Sequence, residues 1–335
     1  MSNSKQLDLW SDEADSPSTP DFVAHRTTDT ADIHFVSAFS RVESVPLTLF
    51  ADSNNRSSVG RSVQEIPEKA GRAKVTVKEK AHVLSRAQGF MGDYDFTLNP
   101  YSGCQFGCAY CYAAFFVNDP EKRQDWGGWV DVKTNAINEL ERSRSILGRK
   151  IYMSSVTDPY QPLEAKVGLT REILQVLSSP TKMPRLVVQT RSPLVERDLD
   201  LLSKLEHVRI NMTVTTDSET IRKKFEPLCP AIEGRLEALR AAKMAGLKTC
   251  VCITPMLPLE DPEIFACRLA ELKADIYVTQ PFKPSNGPFA ASTRSMALEI
   301  AEEYNWTLHD YEHAVSVMRA KLPNLYEGRE GFMPE

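Results

Sequence analysis

The stretch Asn99-Pro-Tyr-Ser-Gly-Cys-Gln-Phe-Gly-Cys-Ala-Tyr-Cys-Tyr112 contains three cysteines, Cys104, Cys108 and Cys111, in the spacing CxxxCxxC. A cubane [4Fe–4S] cluster normally takes four cysteine thiolates. Three cysteines this close together, with no fourth beside them in sequence, predict a cluster in which one iron stays open to an outside molecule. The spacing therefore indicates an exchangeable site.

A structural zinc site is the alternative interpretation of cysteines spaced two residues apart. Zinc requires a closed tetrahedral set, usually two CxxC pairs or one such pair with two histidines. The next cysteine, Cys229, lies far along the chain, and no histidine stands beside the three. Gly103 and Gly107 favour the cluster, because residues without a Cβ let a loop wrap closely around a bulky inorganic core.

With the aromatic Tyr110 before its third cysteine, the loop resembles the signature CxxxCxΦC of the radical S-adenosylmethionine (SAM) enzymes. The resemblance implies that the amino and carboxylate groups of SAM chelate the open iron. It also implies that an electron from the reduced cluster splits SAM into methionine and a 5′-deoxyadenosyl radical, while the protein binds, orients and shields the cofactor. An electron donor such as flavodoxin or ferredoxin is the partner that such chemistry requires.

Composition predicts a cytoplasmic enzyme. Of the 335 residues, 42% are hydrophobic and 25% charged, which is enough for one large domain or two small ones. The seven cysteines are an odd number, and the sequence has neither a signal peptide nor an apolar run long enough to span a membrane. The net charge of −5 argues against a strongly basic nucleic-acid-binding surface overall, although a local basic groove is compatible with it.

The chain is predicted to have three parts. Residues 1–75 are rich in Ser, Thr, Asp and Asn and lack a sustained period, which predicts a mostly disordered tail. Residues 76–285 form the predicted catalytic core, and residues 286–335 a helical extension.

Within the tail, Gln6-Leu-Asp-Leu-Trp10 resembles the QLxLF-type pentapeptide by which many bacterial DNA polymerases and repair proteins bind the sliding clamp. The resemblance implies that Leu9 and Trp10 fill an apolar pocket while the tail orders on binding. An incidental apolar patch is the alternative, since five residues match easily by chance.

Strand and helix patterns alternate from about residue 92 onward. Short β-branched or apolar runs predict strands at residues 96–98, 150–154, 185–190, 208–214, 248–254 and 275–280. Amphipathic patterns predict helices at residues 132–145, 170–177, 193–205, 234–246, 262–274, 293–304 and 311–322. The alternation predicts parallel βα repeats, and six of them resemble the partial (β/α)6 barrel of radical SAM enzymes.

In such barrels the chemistry lies at the carboxyl ends of the strands. This rule nominates Ser154, Ser155 and Asp158 after the second strand as ligands of the cofactor's amino or ribose groups, with a helix-capping loop as the alternative. It nominates Arg191 after the third strand, which can pair bidentately with the carboxylate of SAM. Tyr110 adds an aromatic wall to the same cofactor site.

Two further positions complete the predicted site. Thr215 follows the fourth strand, where a turn residue is nearly as good an interpretation. Arg235 stands at the N-terminus of the next helix, an unfavourable place for a cation, so it predicts a specific anion or carboxylate partner. A salt bridge to Glu226 or Glu233 explains it equally well.

Several segments resemble, in order, landmarks of the spore photoproduct lyase branch of radical SAM enzymes. They are Trp126-Gly-Gly-Trp129-Val-Asp-Val-Lys133-Thr-Asn135, Thr157-Asp-Pro159, Thr190-Arg-Ser192, Phe225-Glu-Pro227 and Gly234-Arg-Leu236. In the branch's namesake the radical abstracts hydrogen from a dimeric thymine lesion in DNA, and a cysteine returns a hydrogen. The resemblance therefore implies a lyase-like or oxidoreductase enzyme acting in DNA repair, on damaged DNA or a nucleotide.

Ser155 departs from that branch, because alignment on Asp158 places it where the hydrogen-donating cysteine would be. A serine O–H bond is too strong to donate a hydrogen atom readily, so another cysteine would have to substitute. Cys229, in a loop, is the candidate hydrogen donor, whereas Cys250 and Cys252 on a strand are better explained as small buried hydrophobes. Ser155 and the acidic charge favour a second function, modification of a peptide or small metabolite. A non-catalytic iron–sulfur or zinc-binding protein is the third.

Overall fold

The computed structural model describes residues 66–143, 146–282 and 294–334. The pentapeptide Gln6 to Trp10 lies outside the described residues. Within the described ranges, no helix is long and apolar enough to cross a membrane.

Strands and helices alternate along most of the described chain. The strands are β1 Lys69–Ala70, β2 Ala73–Val77, β3 Leu84–Arg86, β4 Phe96–Leu98, β5 Tyr101–Ser102, β6 Trp129–Val132, β7 Lys150–Met153, β8 Arg185–Thr190, β9 His207–Thr213, β10 Lys248–Met256, β11 Ile276–Pro281 and β12 Leu325–Glu327. The helices are α1 Pro120–Gln124, α2 Ala136–Arg142, α3 Glu164–Val167, α4 Leu169–Leu177, α5 Leu199–Leu202, α6 Glu219–Phe225, α7 Ile232–Met244, α8 Pro262–Ala270, α9 Ser295–Glu302 and α10 Leu308–Arg319.

Six parallel strands form the predicted partial barrel. β4, β7, β8, β9, β10 and β11 pair in that order, each with the next along the chain. Two strands that the sequence did not predict extend the sheet: β3 is antiparallel to β4 at one edge, and β12 is parallel to β11 at the other. The barrel is therefore an open sheet of eight strands.

Alternating side chains give this sheet two faces. On β8, Leu186 and Val188 join the large core between the sheet and its helices, whereas Val187 belongs to a smaller cluster on the other face. Cys250 and Cys252 join Val187 in that inner cluster, so both face the barrel interior. Parallel strands covered on both faces are buried almost throughout, as these are, and β9 also buries the polar residues Arg209 and Asn211.

The amino ends of the strands are closed by the C-terminal segment. A 3-10 helix at Gly328–Phe332 lies beside Tyr94, whose hydroxyl donates a hydrogen bond to the carbonyl oxygen of Phe332 at 2.7 Å. The rings of Phe90 and Phe332 meet edge to face with centroids 5.4 Å apart. Gly331 lies so close to Val278 that a Cβ there would come within 2.3 Å of it. The region predicted as a helical extension thus also contributes a strand, β12, and the floor of the barrel.

A second, smaller sheet differs from the prediction. It has the strand order β1-β2-β6-β5, with β2 parallel to β6. Because β1 and β2 span residues 69–77, ordered structure begins before residue 76, where the sequence placed the core. Val132 ends β6 and pairs with Val77, so the helix predicted from residue 132 begins at Ala136 instead. The pairing across the sheet overrides the local helical pattern.

Candidate cluster and cofactor site

The cysteine loop follows β4 and β5 at the carboxyl ends of the barrel strands, as the strand-end rule predicts. Gly103 has a φ of +77°, and a Cβ there would lie 2.5 Å from the carbonyl oxygen of Trp129. Gly107 has a φ of +53°, and a Cβ there would lie 3.2 Å from Gly127 Cα. Glycine is thus required at Gly103, where a Cβ would overlap backbone, and is favoured at Gly107 by its positive φ and the close approach of Gly127.

The three cysteines of the loop offer an all-thiol ligand set. Cys104 and Cys108 are buried and Cys111 is partly exposed, and the three are close enough to influence one another electrostatically. Among the described residues, no three potential ligands converge on one metal ion. A single zinc ion needs four ligands around one point, whereas a cubane cluster takes each thiolate on a separate iron. Three thiols on one short loop are the kind of donor set that such a cluster uses.

The three thiols are not electrostatically equivalent. Burial raises the pKa of Cys104 and raises the pKa of Cys111 to about 11. The pKa of Cys108 is lowered, first by a hydrogen bond from Cys229 and then by the guanidinium of Arg191, although burial opposes both. Since thiolates are the metal ligands, Cys108 is the ligand whose ionised form the protein itself stabilises.

A buried carboxylate, Glu226, holds four of the predicted site residues together. Its Oε1 accepts hydrogen bonds from the Tyr110 hydroxyl, from Arg191 Nη1 at 3.0 Å and from Thr215 Oγ1 at 2.9 Å. Its Oε2 accepts one from Arg235 Nη2 at 2.5 Å. The structure thereby selects Glu226 as the partner of Arg235, one of the two salt bridges that the sequence left open.

Charge explains why Glu226 is ionised although it is fully buried. Burial by itself raises the pKa of a carboxyl, but the guanidinium groups of Arg235 and Arg191 outweigh it and lower the pKa of Glu226 to about 2. Arg191 Nη1 also donates to Cys108 Sγ at 3.0 Å. The carboxylate therefore connects the cysteine loop with the loops after β8 and β9 and with α7.

Asp158 orients Arg191. Its two carboxylate oxygens accept hydrogen bonds from Thr190 Oγ1 at 2.7 Å, from the backbone N–H of Tyr160 at 2.9 Å and from the backbone N–H of Arg191 at 2.9 Å. Burial raises the pKa of Asp158, while these hydrogen bonds and the charge of Arg191 oppose the rise. The carboxylate thus fixes the turn after β8 from which the Arg191 side chain extends.

The two serines after β7 differ in their surroundings. Ser154 has a φ of +75°, and its buried hydroxyl has no hydrogen-bond partner in the described part of the chain. The hydroxyl of Ser155 accepts a long hydrogen bond from Asn99 Nδ2 at 3.5 Å, and its carbonyl oxygen accepts one from the Tyr112 hydroxyl at 2.5 Å. A non-glycine residue with positive φ at a strand end is often associated with a functional site.

The candidate hydrogen donor, Cys229, lies against the cysteine loop. Its Sγ is 3.6 Å from Cys108 Sγ, and Cys229 is only 7% exposed. Cys250 and Cys252, which the sequence placed on one face of a strand, lie deep in the barrel interior beside Tyr152 and are fully buried. They pack as small hydrophobes.

Sequence reasoning missed two features of this site. It treated Glu226 only as an optional partner of Arg235, and it did not place Cys229 beside Cys108. One signal was available. Glu226 and Cys229 both lie after β9, in the segment that follows α6, and segments that follow barrel strands converge at the carboxyl ends of the strands.

Comparison with known families supports the cluster assignment. The model of the radical SAM superfamily matches residues 98–266, about half of the chain. Uncharacterised proteins match similar stretches. One of Methanocaldococcus jannaschii is 38% identical, and the match covers 49% of this chain and 61% of that protein. One of Acidianus two-tailed virus is 31% identical, and the match covers 53% of this chain and 64% of that protein. One of Mycobacterium tuberculosis matches at 28% over 49% and 50%. The chain thus spans less than two thirds of the length of these relatives.

Solved structures share the fold. Spore photoproduct lyase complexed with dinucleoside spore photoproduct superposes with a TM-score of 0.54 at 14% identity, covering 79% of this chain and 87% of that one. A mutant of that enzyme with bound AdoMet and dinucleoside spore photoproduct gives 0.53 at 14% identity, covering 78% and 86%. At such identity the likeness shows the fold alone. Together with the family match and the cysteine loop, it leads to one conclusion: the chain belongs to the radical SAM superfamily.

Proposed function

We propose that this chain binds a [4Fe–4S] cluster through Cys104, Cys108 and Cys111 and cleaves SAM reductively to act on damaged DNA or a nucleotide. When bound, the cluster supplies the electron that splits the SAM sulfonium. The single observation that carries the proposal is the cysteine loop at the strand ends, with the Cys108 sulfur held by Arg191 at 3.0 Å.

Arg191 is suited to hold the carboxylate of SAM. Its Nη1 donates hydrogen bonds to Glu226, Tyr110 and Cys108, whereas its Nε and Nη2 have no hydrogen-bond partner among the described residues. An arginine presents paired N–H groups in a geometry that fits a carboxylate. The guanidinium can thus remain anchored to Glu226 while its other edge binds an anion.

Ser154 supplies a second polar contact. Its buried hydroxyl lacks a partner among the described residues, and a buried hydroxyl without a hydrogen bond is costly. We propose that it bonds the amino or ribose group of SAM. Asp158 and Arg235, whose polar atoms already face protein partners, instead position this site, and Thr215 does so through Glu226.

DNA is the preferred substrate class because the fold is shared with spore photoproduct lyase bound to a dinucleoside. The pentapeptide Gln6 to Trp10 adds a proposed docking site for the sliding clamp. Flavodoxin or ferredoxin is the proposed electron donor.

Ser155 favours the second candidate, a peptide or small-metabolite substrate, since it removes the hydrogen donor of the lyase reaction. Cys229 does not readily replace that donor, because its sulfur lies against Cys108. The substrate therefore has to be tested directly.

The cofactor chemistry is tested by anaerobic reconstitution, followed by dithionite and SAM. We expect methionine and 5′-deoxyadenosine in equal amounts from the wild-type protein, and neither from Cys108→Ala. Cys267→Ala is the matched control, because Cys267 is exposed on α8 and should leave both products unchanged. Absence of 5′-deoxyadenosine from a fully iron-loaded wild-type protein would refute the enzymatic proposal.

The substrate is tested by supplying UV-irradiated and unirradiated DNA to the reconstituted protein. The DNA proposal requires that thymine lesions disappear only in the sample that contains both SAM and reductant. If lesion content is unchanged while 5′-deoxyadenosine still forms, the substrate is not damaged DNA and the second candidate is preferred.

A further inference from the structure

The fourth cysteine near the cluster loop is held in place by its backbone. The Cys229 N–H donates to the carbonyl oxygen of Glu226 at 3.1 Å, and the Cys229 carbonyl oxygen accepts from Arg222 Nη1 at 2.8 Å. The thiol is thus fixed 3.6 Å from Cys108 Sγ. This contact joins a loop after α6 to a ligand of the cluster.

Chemistry sets the direction of the sulfur–sulfur hydrogen bond. Cys108 already accepts from Arg191 Nη1, which can only donate. As a cluster ligand, Cys108 is a thiolate without a proton. The proton between the two sulfurs must then belong to Cys229, whose S–H donates to Cys108.

Cys229 is not placed to serve as a fourth ligand of the cluster. Thiolates on different irons of a cubane point outward from different corners. Two sulfurs 3.6 Å apart are too close together for that arrangement, so with a cluster bound Cys229 would contact Cys108 rather than an iron.

We propose that Cys229 is a positioning residue that tunes the cluster. Its S–H, together with Arg191, donates to the Cys108 thiolate and raises the reduction potential of the cluster. Hydrogen bonds to the sulfurs are one of the factors that set the potentials of iron–sulfur clusters. Reduction adds negative charge, and two donors aimed at one sulfur stabilise the more negative state. The inference rests on the proposed function, since it requires the cluster to be present.

The test is an EPR-monitored redox titration of the reconstituted protein without SAM, comparing wild type with Cys229→Ala and Cys229→Ser. Alanine removes the donor, whereas serine retains an O–H in its place. We expect Cys229→Ala to shift the midpoint to a more negative potential. The ratio of reduced to oxidised cluster at a fixed potential should fall about threefold to tenfold, where tenfold corresponds to 59 mV for one electron. The serine variant should remain near wild type.

Two results would overturn the inference: a midpoint of Cys229→Ala equal to wild type, or equal shifts in both variants, which would indicate packing rather than hydrogen bonding. If Cys229→Ala does not retain iron, Cys229→Val replaces it in the titration, because valine fills the space of the thiol without a hydrogen-bond donor. A midpoint of Cys229→Val equal to that of wild type and of Cys229→Ser refutes the proposal. Failure of the wild-type protein to form any cluster would instead refute the proposed function.

Discussion

Substitution of Glu226 by glutamine should destabilise the fold strongly. The side chain is fully buried and accepts hydrogen bonds from Arg235 Nη2 at 2.5 Å and from Arg191 Nη1 at 3.0 Å. Glutamine has nearly the same volume, but it is neutral and directs an NH₂ donor at groups that are themselves donors. The buried guanidinium of Arg235 and the partly buried guanidinium of Arg191 would then lack this counter-charge.

The expected magnitude follows from two independent estimates. The pKa of Glu226 falls from its usual 4.5 to about 2, which corresponds to ~3 kcal/mol of stabilisation at neutral pH. Breaking a buried ion pair by removing one partner typically costs about 3–5 kcal/mol. We therefore expect Glu226→Gln to lower the free energy of unfolding by about 3 kcal/mol.

Urea unfolding at pH 7 under reducing, oxygen-free conditions measures this loss. Glu233→Gln is the matched control: Glu233 lies in the first turn of α7, and its side chain is 57% exposed and pairs with Arg268 at the surface. Such a pair is worth about 1 kcal/mol or less. A loss in Glu226→Gln no larger than that in the control would refute the assignment of Glu226 as the charge centre of the site.

The pH dependence provides a second check on Glu226. The pKa of this carboxyl is lower in the folded than in the unfolded chain, so its stabilisation is complete above the unfolded value of 4.5 and is lost as pH falls towards about 2. The difference in stability between wild type and Glu226→Gln should therefore stay constant from pH 8 to pH 5. It should narrow only in more acidic solution.

Two further predictions concern the cysteine loop and the tail. Gly103→Ala should lower the iron content, and it should lower the free energy of unfolding by ~1–3 kcal/mol more than Gly148→Ala does. Both glycines have a positive φ, but only at Gly103 would a Cβ approach Trp129. Equal losses of unfolding free energy in urea would contradict this. Deletion of Gln6 to Trp10 should abolish binding to the sliding clamp in a surface plasmon resonance assay while leaving 5′-deoxyadenosine formation intact, and unchanged clamp binding would exclude the docking role.

The main barrel was predictable because its signals are local. β8 begins and ends where the sequence placed it, at Arg185 and Thr190, and the other five parallel strands lie within two residues of their predicted bounds. Each is a short run rich in β-branched or apolar residues, which is typical of a buried parallel strand and can be recognised without knowledge of its neighbours. The strand-end rule then placed the cysteine loop correctly.

The remaining features depend on contacts between distant segments. The local pattern predicts that Val132 begins a helix, but Val132 pairs with Val77 of β2, a strand that begins within the predicted tail. The sequence assigned Arg191 to the carboxylate of SAM but did not identify its protein partner Glu226, which comes from another loop. Cys229 meets Cys108 across a sequence separation of 121. No local pattern contains such information, because the partners become neighbours only when the barrel forms.

The closed floor of the barrel limits the shape of any substrate. With Gly328–Phe332 packed beneath the strands, a long polymer cannot thread along the barrel axis and leave at the other side. If the cluster forms on the cysteine loop, a reacting unit would then enter and leave on the side of that loop. If the substrate is DNA, the reacting bases must be turned out of the helical stack, and their unstacking costs a few kcal/mol, least where the stack is already damaged. The floor would thereby favour damaged over intact DNA before any base-specific contact is made.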